Sequence, residues 1–150
     1  GEAEERLYVG TENNATGGEL WAFDGSDWEH VATFPAHSVA EIAVYEDEVY
    51  VGTWTFSLSF LTGVPSDTFG LYWSPNPLAD PAPPDTPLKN FTKVKPEFMG
   101  REALSNVGVM KLVEYAGRLY LGTVNYSEGF TLLSSATPWK PDSWTVLTTN

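Results

Sequence analysis

The sequence predicts an all-β fold built from tandem four-stranded antiparallel units, and three observations predict it. A five-residue phrase recurs as Leu7-Tyr8-Val9-Gly10-Thr11, Val49-Tyr50-Val51-Gly52-Thr53 and Leu119-Tyr120-Leu121-Gly122-Thr123. Self-similarity of this kind marks a supersecondary unit stacked several times. Each copy is followed by a Gly-led apolar stretch (Gly18 to Trp21, Gly70 to Trp73, Gly129 to Leu132) and then by an aromatic-led one (Trp28 to Val31, Phe91 to Val94, Trp144 to Leu147). No segment carries helical periodicity, and turn residues separate the short β-branched and aromatic runs.

Taken in order, copy one begins at Arg6-Leu7, with nothing ahead of it but the acidic Gly1 to Glu5. It therefore lacks a first strand, because that pentapeptide is too short and has the wrong composition for one. Copy two has all four: Val39 to Tyr45, a turn at Glu46-Asp47-Glu48, Val49 to Trp54 as the return of a tight hairpin, then the Gly70 and Phe91 strands. Copy three repeats the hairpin with Val107 to Tyr115, a turn at Ala116-Gly117, and Arg118 to Val124. The units span about 6–35, 38–95 and 106–150 of a single domain. Leu7 to Val49 is 42 residues and Val49 to Leu119 is 70, so copy two carries insertions at Thr55 to Thr68 and in the proline-rich Pro75 to Pro87, with Pro96 to Ser105 ahead of copy three. Insertions of this length are surface loops that bind or cap a neighbour, and prolines stiffen the second.

Four-stranded units in tandem are what β-propeller blades are made of. The chain resembles secreted β-propeller proteins whose blades read hydrophobic strand, L-Y-V-G-T, G-x-L-W and W-x-x-V, over nearly all its length. Asp24-Gly25-Ser26-Asp27-Trp28 resembles a relaxed Asp-box, the turn of sialidase-like propellers, with its spacing missed by one residue; a Kelch-like relation is the other possibility. The resemblance implies a ring of which this chain holds two full blades and three strands of another, whereas closure takes roughly four to eight blades. The edge at Leu7, Tyr8 and Val9 is then an assembly edge, to be covered by further copies of the chain or by the remaining blades of a longer one.

Composition narrows the function. A 150-residue chain that is 42% hydrophobic and 14% aromatic can bury a core. Its net charge of −12 offers no basic patch to displace counterions from a nucleic acid. No apolar run is long enough to span a bilayer as a helix, so membrane insertion is not expected. Without cysteine, thiol catalysis, thiolate metal sites and disulfides are excluded. Three N-x-[ST] sequons, at Asn14, Asn90 and Asn125, point to a glycosylated protein that is secreted or displayed on a cell surface. About one such motif is expected by chance in a chain rich in Ser and Thr, but Asn14 and Asn125 share a place just beyond the Gly-Thr.

Catalytic chemistry is harder to find. His30 and His37 are the only imidazoles, too few for a three-histidine zinc site, and His30 is expected to face solvent. A sialidase resemblance would imply an arginine cluster, but Arg6 and Arg118 sit at matching repeat positions and only Arg101 remains. Neither a catalytic nor a metal site is assigned and no cofactor is expected; Ca²⁺ at Glu46-Asp47-Glu48 or at Asp24 and Asp27 competes with a plain solvated turn. Trp21 with Trp73, and Trp28 with Trp144, fall at matching positions and are expected in the core. Trp54, Phe56, Phe60 and Trp139 lie at insertions and loops, where aromatic rings stack on sugars, anchor a protein partner or fold back on the blade. The function expected is a non-enzymatic extracellular binding or assembly module. The alternatives are part of a propeller-type glycoside hydrolase or lyase, or a fragment without activity of its own.

Overall fold

A computed structural model describes residues 5–55, 69–79, 87–94, 106–125 and 129–149. Among these the protein is all-β and antiparallel, with a curled main sheet and no α-helix. The strands are β1 (Leu7–Gly10), β2 (Glu19–Phe23), β3 (Trp28–Thr33), β4 (Ser38–Tyr45), β5 (Glu48–Trp54), β6 (Leu71–Ser74), β7 (Thr92–Val94), β8 (Asn106–Tyr115), β9 (Arg118–Asn125), β10 (Thr131–Ser135) and β11 (Thr145–Thr149). One sheet is β1-β2-β3; the other runs β11-β10-β9-β8-β5-β6-β7, with β4 also paired to β5. The two halves of the larger sheet meet at one residue pair, Trp54 with Gly108.

Local chemistry sets the hairpins. Glu46 and Asp47 (φ 52° and 62°) close β4 onto β5, and Ala116 and Gly117 (φ 51° and 69°) close β8 onto β9. Two successive positive φ values make a type I′ turn, whose twist matches that of the strands it joins. Of the expected turn Glu46-Asp47-Glu48, only the first two residues turn; Glu48 opens β5. Both first-position strands carry a bulge at the same place, between Val39 and Glu41 and between Val109 and Lys111.

The core is two layers. Leu20, Ala22, Val31 and Phe34 pack on Val39, Val49, Val51 and Tyr72. Tyr45, Tyr50, Phe69 and Leu71 pack on Val109, Leu112, Leu119, Leu121 and Leu133. Side chains alternate across a strand, so Val49 and Val51 fill one layer while Tyr50 fills the other. The β5–β6 pair therefore buries both of its faces. The β1–β2 and β9–β10 pairs each bury one.

Candidate functional site

The site is built from the contact that stacks one strand group on the next. Its smallest part is the repeated Gly-Thr. A Cβ added to Gly10 would stand 2.4 Å from a Val39 methyl, and one added to Gly52 would stand 2.5 Å from a Val109 methyl. Only glycine lets the next group's first strand approach this closely. The residue after each Gly-Thr bridges the residue ahead of that valine, Glu12 to Ser38 and Trp54 to Gly108. The threonines clamp their own hairpins. Thr11, Thr53 and Thr123 accept at Oγ1 from the backbone N–H of Glu19 (3.0 Å), Gly70 (2.8 Å) and Thr131 (2.9 Å). The Thr11 and Thr53 hydroxyls also donate to the carbonyl of the same residue, whereas the shorter donation of Thr123, 3.1 Å, goes to Asn106 Oδ1.

Further contacts complete the junction between β4–β7 and β8–β11. The Tyr45 hydroxyl donates to the Gly117 carbonyl at 2.8 Å. Lys111 donates to the Glu41 carboxylate at 3.2 Å. Trp139 stacks on Trp73 with ring centroids 6.1 Å apart. Glu48 fixes the Trp73 ring by accepting from its Nε1 and from the Tyr50 hydroxyl. Burial first and Glu48 second push the Tyr50 phenol far above its ordinary range.

At the two ends the same positions are uncovered. Gly122, the counterpart of Gly10 and Gly52, has among the described residues only Lys111 Cβ nearby, at 3.7 Å. Tyr115, the counterpart of Tyr45, is 70% exposed where Tyr45 is 2% exposed. Met110 and Val113 are exposed beside it. At the other end β1 pairs, among the described residues, with β2 alone, and Leu7 is 58% exposed, with Tyr8 and Val9 half-buried.

Several expected placements are corrected. Trp21 pairs with Val9 but Trp73 pairs with Tyr50, so the two are one register step apart and Tyr72 is the true counterpart of Trp21. Counting from Gly18 and Gly70 misleads because Glu19, not Gly18, meets Thr11 as Gly70 meets Thr53. Trp28 is 53% exposed and stacks on Phe23 on the open side of the first group, not in the core. Trp144 does pack against the core, its Nε1 donating to the Pro138 carbonyl. His30 does not simply face solvent. It is half-buried, edge-on to Trp21 at 5.1 Å and bonded to the Thr33 hydroxyl. Burial first and Lys89 second lower its pKa. It lines a cavity of about 180 Å³ with Lys89 and Asn90.

Trp54 ends β5 against Gly108, whose added Cβ would meet it at 2.4 Å, so it is packed at the junction and does not stand on a loop. Phe56 and Phe60 lie outside the described residues, as do 56–68 as a whole, 80–86 and 95–105. Trp139 is 41% exposed on a turn pinned by Ser143, whose hydroxyl lies within donating distance of the carbonyls of both Thr137 (2.6 Å) and Lys140 (2.7 Å). Lys140 Nζ lies 4.6 Å from its ring centroid. Asn14 is exposed on a turn capped by Asn13 Oδ1, whereas Asn90 Nδ2 donates to the Pro77 and Ala79 carbonyls. Asn125 is half-buried at the end of β9. Asp24 Oδ1 accepts from the N–H groups of Ser26 and Asp27, which holds its carboxyl down at about 2. Among the described residues no three His, Asp or Glu converge as a metal site.

The chain matches no protein family, no curated protein and no solved structure.

Proposed function

We propose that the chain is a run of three propeller-type blades, β1–β3, β4–β7 and β8–β11, whose work is association: a non-enzymatic, secreted or cell-surface module that assembles with further blades or copies. One observation carries this reading. The contact Gly10–Val39 is repeated by Gly52–Val109, and its third instance, at Gly122 and Tyr115, is uncovered. A surface that the same chain has buried at each earlier repeat is built to be buried again. Glycosylation at the exposed Asn14 fits the same setting.

Light scattering of the 150-residue chain tests it. Association that grows with concentration is expected, and Gly122→Trp or Tyr115→Glu should weaken it while circular dichroism stays unchanged. A wild-type chain that stays monomeric at every concentration sinks the association reading. Carbohydrate or protein binding at Trp139 is the second reading, favoured by its exposure on a pinned turn; a stacking ligand would have to compete with Trp73 and Lys140 for the ring.

A further inference from the structure

We infer that the free edge of β1 is a receptor for one antiparallel strand of defined pattern, supplied from outside these 150 residues. The inference rests on the reading of the three strand groups as successive blades. In the second and third groups the strand homologous to β1 is paired on both sides, β5 between β4 and β6 and β9 between β8 and β10. Among the described residues β1 has β2 on one side only. The groups that await a partner follow from the register. Thr11 N–H donates to the Glu19 carbonyl, and Val9 opposes Trp21 two residues away, so these residues face β2. Tyr8 and Gly10, in the alternate positions, turn their N–H and C=O groups outward. Their counterparts Tyr50 and Gly52 oppose Ala43 and Glu41 of β4.

The two strands that already fill this position define the occupant. Ser38-Val39-Ala40-Glu41-Ile42-Ala43-Val44-Tyr45 and Gly108-Val109-Met110-Lys111-Leu112-Val113-Glu114-Tyr115 share the pattern small, Val, bulge residue, charged, Ile or Leu, two variable residues, Tyr. Each part has a destination. The valine packs on the glycine of a preceding group, the place open at Gly122. The tyrosine hydroxyl reaches the second turn residue of the following group, as Tyr45 reaches Gly117; for the incoming strand that residue is Asp47. The charged position would adjoin Glu41 as Glu41 adjoins Lys111, which favours a basic residue. Both first-position strands of the chain are committed to their own partners, so neither of them is the occupant. Backbone pairing supplies affinity in such strand addition, and alternate side chains supply selectivity.

A fluorescent peptide of residues 106–115, added to the full chain, tests this by anisotropy, with the peptide of residues 36–45 as comparison. Saturable binding is expected, tighter for the first peptide because it carries Lys111, with amide shifts at Tyr8 and Gly10. Val113 opposes Tyr120, so its N–H faces the paired strand, whereas Leu112 N–H turns away, toward Glu41, and Glu114 shares that orientation. N-methylation at Val113 should weaken binding at least about tenfold, the loss of a main-chain hydrogen bond. N-methylation at Glu114 should leave it unchanged. No saturable binding, or equal loss from both methylations, overturns the receptor. Tighter binding of the 36–45 peptide overturns the basic position. A peptide-free dimer protected at Tyr8 and Gly10 would show a second copy donating its own strand, and overturns the outside source. Failure of the blade reading is seen separately, in Gly52→Ala leaving stability unchanged.

Discussion

The threonine of each Gly-Thr pair does more than its place in the sequence discloses. Its Oγ1 accepts from a backbone N–H where a loop leaves between two neighbouring strands, and joins them. Thr53 and Thr123 are buried and Thr11 is half-buried. Replacing Thr53 with Val keeps the shape and strands the Gly70 N–H, a loss of about 1–3 kcal/mol. Urea unfolding should show it, with Thr11→Val costing less because water can reach the freed groups. Titration marks two more residues. His30 has a lowered pKa through burial and then Lys89, so the folded state favours neutral imidazole. Its contribution is whole above the ordinary histidine pKa of about 6.5 and is lost as pH falls toward the folded value. Asp24, held at about 2 by the N–H groups of Asp27 and Ser26, contributes above the ordinary carboxylate pKa of about 3.9 and loses this as pH falls through about 2. Thermal melts between pH 7 and 5 should therefore drop in the wild type and flatten in His30→Gln. An unchanged slope would show that His30 is solvated equally in both states.

At the scale of elements, three glycines of one motif have two different fates. Gly10 and Gly52 are closed in by the next group's valine, and Gly122 is open. Gly52→Ala should cost about 1–3 kcal/mol through overpacking, and Gly122→Ala should leave the unfolding midpoint of the monomer in place. Equal effects at the two sites would mean that Val109 does not set Gly52 apart from the open Gly122. The recurrence of the glycine was legible in the sequence because the motif is contiguous. Relief of crowding was legible as its role as well; the crowding residues were not, because Val39 and Val109 lie on other strands. The hairpin around Glu46-Asp47 was legible too: β-branched runs with a two-residue polar turn leave few other geometries. Trp21 and Trp73 misled because register is set by pairing rather than by distance from a glycine, and a single step moves a side chain to the opposite face. Trp28 misled for a different reason: it stands on a face that would be core if another group lay over it.

For the molecule as a whole, the two uncovered ends and the charge act against each other. The β5–β6 pair shows what a covered face looks like, with Val51 and Tyr50 both buried on opposite sides. The ends present Leu7 and Trp28 at one side and Tyr115, Val113 and Met110 at the other. These surfaces differ, so the association proposed above is head-to-tail, which closes into a ring or extends as a filament according to the rotation per step. A net charge of −12 opposes this contact at neutral pH. Salt screens that repulsion over about 10 Å at 0.1 M and leaves apolar burial intact, so association at pH 7 should strengthen as salt is added. Near the isoelectric point of about 4.3 the repulsion vanishes and precipitation is expected. Gly122→Trp separates the two regimes: it should weaken the salt-promoted association at pH 7, which uses the third group's face, and leave precipitation at low pH, which needs only the loss of charge. Light scattering across salt and pH reads both. Association that weakens as salt is added would mean that the ends meet through opposite charges instead of through their apolar faces.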